Sequence, residues 1–184
     1  MRSAAAAPTG REATFGADEI IVSKTDARGK ITYANRVFQR ISGYREAELI
    51  GQPHSIIRHP DMPRIVFKRL WETIAAGREL FAYVVNLGRD GSHYWVFAHV
   101  TPTFGPSGEI VGYHSTRRCP RREALAVVEP FYRMLLGIER AAADRAAGLA
   151  ASAAAVDAYL AERGVEWDEL MIQLETTRVA REAA

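Results

Sequence analysis

The residues with chemistry to offer crowd into one stretch, Gly51-Gln52-Pro53-His54-Ser55-Ile56-Ile57-Arg58-His59-Pro60-Asp61-Met62-Pro63. Two imidazoles, a guanidinium and a carboxylate stand there among three prolines. Each proline disfavours helical geometry in the residue before it, so these groups sit on irregular backbone. The plainest reading is a capped, salt-bridged loop leading into a helix, with Asp61 near the positive helix end. Asn35 directly follows a strand, as an ordinary helix N-cap does. Trp71 falls on a helical apolar stripe, where a core role is the usual one. His93 and His99 alternate onto the outer side of a strand. No GxSxG, HExxH or Walker-type spacing occurs, and the helices lack the histidine–aspartate pattern of a kinase, so no enzymatic activity is expected. The single cysteine, Cys119, allows neither an intramolecular disulfide nor a cysteine-based metal cluster.

Composition sets the frame for these residues. A chain of 184 residues, 48% hydrophobic and 25% charged, is long enough for one domain with an appendage and is not a disordered chain. Its 24 basic against 22 acidic residues leave a net charge of +2, which carries no nucleic-acid footprint. No apolar run approaches the roughly 20 residues that span a bilayer, and Met1 to Ala7 is too short for a signal peptide. A cytoplasmic protein without direct membrane insertion is expected, read as a complete small protein that ends in a solvated tail, Arg178 to Ala184.

The elements that must position the chemistry follow from periodicity. Residues 1–18 carry no hydrophobic period and are expected to be a flexible arm. Ile20 to Val22 and Ile31 to Tyr33, around the turn Asp26-Ala27-Arg28-Gly29, predict a hairpin. Asn35 opens a helix that Gly43 ends, and Glu46 to Ile50 is a second, short one. Pro63 opens a longer helix through Val66, Phe67, Leu70, Trp71 and Ile74. Leu80 to Asn86, His93 to Thr103 and Glu109 to Thr116 predict three further strands, the first two joined at Arg89-Asp90-Gly91-Ser92. In the fourth strand Tyr94, Val96, Ala98 and Val100 share one face. After Pro120, three apolar stripes predict helices, the first kinked or restarted at Pro130. Those stripes need a partner, either the sheet or a second chain. The fold class is α+β, with a five-stranded antiparallel sheet, short helices on one face and a C-terminal helical extension over 120–184.

The element order, together with Gly43-Tyr44, Glu48-Leu49-Ile50-Gly51 and Asp90-Gly91-Ser92-His93-Tyr94-Trp95, resembles a PAS domain over residues 19–119. Ile31-Thr32-Tyr33-Ala34-Asn35, Gly51-Gln52-Pro53-His54, Arg58-His59-Pro60-Asp61-Met62-Pro63 and Trp71 resemble, more specifically, the sensor domain of Aer-type aerotaxis (energy-taxis) receptors. The chain differs from that family at Leu80-Phe81-Ala82, usually Trp-Ser-Gly, and at Val85-Asn86-Leu87-Gly88, usually a basic run.

The resemblance implies a PAS sensor that binds FAD non-covalently and signals redox or oxygen status. Carried onto matching positions, Asn35, His54, Arg58, His59, Asp61, Trp71, Asn86 and Tyr94 surround the cofactor. A guanidinium such as Arg58 suits a pyrophosphate, and the amides of Asn35 and Asn86 suit the pyrimidine edge of the flavin. Trp71 offers a stacking face at the pocket mouth. His54 or His59 would respond to charge on a reduced flavin by changing protonation or hydrogen bonding. The signal would pass through the C-terminal helices to a second copy, as a homodimer, or to a downstream signalling protein of a chemoreceptor or kinase pathway. A haem-binding gas sensor using His54 or His59, and a cofactor-free dimerisation or adaptor module, remain open. Cysteinyl–flavin adduct chemistry is not expected, because Cys119 lies beyond the last strand.

Overall fold

The computed structural model describes residues 7–176; the tail expected over 178–184 lies outside them. Strands β1 (Ile21–Asp26) and β2 (Ile31–Ala34) form the first hairpin. Its turn is fixed by Asp26, whose Oδ1 accepts from the amides of Arg28 and Lys30 at 2.9 and 2.8 Å. Helix α1 (Arg36–Ser42) starts at Asn35 and stops at Gly43, whose φ of 72° is left-handed and so suits glycine. Helix α2 (Glu46–Leu49), a single 3-10 turn over His54–Ile57 and helix α3 (Arg64–Ala75) follow. Strands β3 (Leu80–Leu87), β4 (His93–Phe104) and β5 (Ile110–Arg118) complete one antiparallel sheet, ordered β2-β1-β5-β4-β3. The architecture is the α+β one expected.

Register decides what the sheet presents to α3. Ser23 pairs with Ser115, Ser115 with Val100, and Arg117 with Ala98. Since alternate residues share a face, Ser23, Thr25, Ser115 and Arg117 look inward beside Ala98 and Val100. The main core around Phe38, Ile21, Ile31, Leu49 and Ile57 lies on this side.

Residues expected to be a free arm are instead attached to the sheet from Thr9 onward. The Ala13 amide donates to the His93 carbonyl at 2.8 Å, and the His93 amide donates to the Arg11 carbonyl at 2.9 Å. The physical reason is that β4 begins at His93 while its pairing with β5 begins only at Phe97, which leaves backbone groups free to pair. Phe15 is buried in the core.

The C-terminal stripes fold as α4 (Arg122–Ala141), α5 (Arg145–Arg163) and α6 (Trp167–Thr176). The helix does not restart at Pro130, for α4 runs through it. Pro130 and Ala126 are both exposed, so the carbonyl deprived of its donor is left to solvent. The partner of these helices is this chain's own sheet edge. At β3, Asp168 accepts from the Phe81 amide at 2.8 Å, Trp167 Nε1 donates to the Phe81 carbonyl at 2.8 Å, and the Tyr132 hydroxyl donates to the Tyr83 carbonyl at 2.9 Å. An edge strand otherwise presents unpaired backbone groups. Leu135, Val156, Leu160 and Met171 are buried in the same core, each contributing on the order of 1.5–3 kcal/mol. No helix among the described residues is long and apolar enough to cross a membrane.

Candidate functional site: a polar-walled cavity under helix α3

Between the inward face of the sheet, the 3-10 turn and α3 lies a cavity of about 300 Å³, at the lower end of the range of small-molecule sites. Phe67, Leu70 and Ile74 of α3 with Ile57, Val84 and Val100 make its walls mostly apolar. Trp71 stands at the open side, 42% exposed, its ring edge-on to Tyr113 at 5.5 Å. The indole also packs over Gly29, where a Cβ would lie 2.8 Å from the ring and φ is +75°. Only glycine combines that turn geometry with that approach.

Against this apolar background the polar groups stand out. Arg117 is 2% exposed and has no carboxylate partner among the described residues. Its Nη2 donates to Ser23 Oγ, and its guanidinium carbon sits 4.6 Å from the Phe38 ring centroid. Nε and Nη1 have no hydrogen-bond partner among the described residues, and neither has Asn86 Nδ2. Burial lowers the Arg117 pKa to about 10, which leaves the group cationic at neutral pH. Buried donors in proteins are normally matched, and a buried cation without a counter-charge is costly. Three unmatched donors around one cavity fit a ligand rich in acceptors or negative charge.

His54 joins this group from the 3-10 turn. Its Nε2 lies 3.0 Å from Ser23 Oγ, and its ring stacks on Phe38 at 6.0 Å. Burial first, then the Arg117 charge, lower its pKa to about 3. The imidazole is therefore neutral at physiological pH. In the resulting relay Ser23 accepts from Arg117 Nη2 and donates to His54 Nε2, which leaves Arg117 Nε and Nη1 unmatched.

Of the eight residues singled out in the sequence, His54, Arg58, Trp71 and Asn86 line this cavity. The other four do not. Asn35 is spent on structure: its Oδ1 accepts from Phe38 N at 3.0 Å and Val22 N at 3.1 Å, and its Nδ2 donates to Ile20 O at 2.7 Å. Asp61 is exposed and pairs with Arg140 of α4 at 3.0 Å. His59 faces a second cavity, and its Nδ1 accepts from the Asp61 amide at 3.1 Å. Tyr94 is buried behind the wall, its hydroxyl without a hydrogen-bond partner among the described residues. Burial raises the phenol pKa there, while the Arg117 charge opposes that rise. Cys119 lies beyond β5 and does not line the cavity. Among the described residues, no three histidine, cysteine or acidic side chains are grouped to hold a metal.

Arg117 and Ser23, the residues that sequence reasoning missed, had a signal. Ser23 and Thr25 on one strand, and Ser115 and Arg117 on its neighbour, are polar at positions of core-facing parity. The fifth strand had to be extended past Thr116 for that parity to reach Arg117.

Comparison with known proteins agrees with this geometry. The PAS fold family matches residues 19–119. The aerotaxis receptor of Escherichia coli (strain K12) is 42% identical over 118 residues, covering 64% of this chain and 23% of the receptor. A nitrogen fixation regulatory protein of Klebsiella pneumoniae is 34% identical over 99 residues, covering 54% of this chain and 20% of that protein. The chain thus spans a quarter or less of the length of these two relatives. Among solved structures, the dark-state LOV domain of the blue-light photoreceptor Aureochrome1 superposes with a TM-score of 0.55 at 22% identity, over 62% of this chain and 85% of that one. That likeness concerns the fold alone. A family match over more than half of the chain, on the sheet and helices that enclose the cavity, makes this protein a member of the PAS family.

Proposed function

We propose that this PAS domain binds a flavin, FAD, in the cavity under α3 and reports redox or oxygen status through its C-terminal helices. The observation that carries the reading is the set of unmatched buried donors, Arg117 Nε and Nη1 with Asn86 Nδ2. The pyrimidine edge of a flavin offers the acceptors they lack. A bound flavin supplies a reversible electron store whose reduced form gains negative charge on that edge. Arg117 would hold that edge, and its charge, undiminished at neutral pH, would favour the reduced form. Ser23 would pass any change in the hydrogen bonding of Arg117 to His54, and so to the backbone turn that precedes α3. Trp71 would close the mouth with an aromatic face, and the apolar side of α3 would keep water from the site.

The relatives support this reading in kind, since one is an aerotaxis receptor and others are blue-light-activated histidine kinases. A haem reading through His54 is less well supported, because its Nε2 is engaged with Ser23, and His59 faces the second cavity with its Nδ1 engaged by the Asp61 amide. A cofactor-free adaptor would have no use for the unmatched donors. Signalling to a second copy would use the outer side of α4, where Val127 and Met134 are exposed apolar residues.

The test is an absorption spectrum of the purified protein, or of the apoprotein reconstituted with FAD, before and after dithionite. Bands near roughly 370 and 450 nm that bleach are expected of a flavin. A Soret band near roughly 400–430 nm would transfer the site to haem. A colourless protein that rejects FAD would leave the adaptor reading.

A further inference from the structure

A second, more open cavity of about 370 Å³ adjoins the first, and Arg58 lines both. Its walls come from two parts of the chain that the family match separates. Arg58, His59 and Arg64 belong to the PAS domain, whereas Arg145 comes from the first turn of α5 in the extension. The three guanidinium groups differ in how they are used. Arg64 is neutralised by Glu139 at 2.9 Å. Arg58 lies over the Phe67 ring at 3.9 Å and has no carboxylate partner among the described residues. The Arg145 side chain has no hydrogen bond or ion pair among them either. Arg58 and Arg145 line one cavity, and burial, then the Arg145 charge, depress the Arg58 pKa while the Glu139 charge opposes that fall. Glu139 is the one carboxylate among the described residues acting on this cluster and is bonded to Arg64, so Arg58 and the exposed Arg145 leave the cavity with an excess of positive charge that an anion would offset. Guanidinium forks match phosphate oxygens in pairs.

We propose that Arg145 and Arg58 together hold the phosphate end of the flavin nucleotide, which makes α5 of the extension part of the cofactor site. The inference rests on the flavin reading above and adds to it a residue outside the PAS domain. Two positive charges face the two negative charges of a diphosphate, while the ring system occupies the first cavity. Cofactor occupancy would then tie the loop around Arg58 to α5, giving the extension a direct sense of whether the site is filled.

The test uses the full-length apoprotein titrated with FAD and with riboflavin, which lacks the phosphates, followed by flavin fluorescence. Arg145→Ala should weaken FAD about tenfold, the equivalent of one charge-assisted contact, and leave riboflavin binding unchanged. Arg145→Lys should retain most of the affinity. Added NaCl should weaken FAD in the wild type more than in Arg145→Ala. The proposal falls if Arg145→Ala binds FAD as the wild type does, or if it loses riboflavin and FAD equally, as a merely structural residue would. If the wild type binds neither flavin, the reading of the first cavity falls as well, so the two failures are distinguishable.

Discussion

Along the β3 edge, the Phe81 amide and carbonyl and the Tyr83 carbonyl each meet a side chain from the extension. Nearby, the buried Glu139 carboxylate of α4 accepts from the amides of Arg64 and Ile65 at 3.0 Å, Arg64 Nε at 2.9 Å and Ser152 Oγ at 3.2 Å. Around the cavity, by contrast, Arg117 of β5 and Asn86 of β3 keep donors unmatched. Both regions bury polar groups in the same molecule. Where polar groups are saturated by the chain itself they hold elements together. Where they are not, burial costs stability, and under the proposed function a ligand supplies the missing partners.

The largest effect should come from breaking the saturated region. Although burial raises the Glu139 pKa, the hydrogen bonds from Arg64 and Ile65 outweigh it and hold the group below the ordinary carboxylate value. Glu139→Ala removes the cap from the start of α3 and strands the Arg64 charge. It should destabilise the fold by about 3 kcal/mol, read as a lower urea midpoint. An unchanged midpoint would show that this cluster is not what ties α3 to the extension.

A graded effect, smaller than this in mild acid, is expected from the cavity side. The folded His54 pKa lies at about 3, below its ordinary 6.5, so between those values the unfolded chain takes up a proton that the folded chain refuses. Stability from this group is present above pH 6.5 and is lost as pH falls across that window, at up to about 1.4 kcal/mol per pH unit. His54→Gln should flatten this part of the stability–pH curve. An identical slope in wild type and variant would mean that His54 takes up its proton freely in the fold.

Much of this contrast could be read from the sequence, and the exceptions have physical causes. Strand and helix positions follow from periodicity and from stops such as Gly43 and Gly77, because those signals are local. Of the residues expected around a cofactor, His54, Arg58, Trp71 and Asn86 line the cavity, and within the Arg58–Pro63 stretch Arg58 alone does so. Asn35 and Asp61 do not line it, because an N-cap and a surface ion pair use the same residue types for local structure. Arg117 was missed because its meaning depends on register across β1, β5 and β4, a relation between distant segments. The attachment of residues 9–13 to His93 was invisible for the same reason. Whether the apolar stripes after Pro120 cover a sheet or a second chain is likewise a tertiary matter.

The most direct test of the account compares Arg117→Met with wild type in one pair of experiments on the apoprotein, urea unfolding and FAD titration. If the unmatched donors exist for a ligand, the variant should unfold at the same or a higher urea concentration, since an unpaired buried cation has gone, and should bind FAD at least about tenfold more weakly. A variant that unfolds earlier yet binds FAD as tightly as wild type would place Arg117 among the structural groups and contradict the assignment of this cavity.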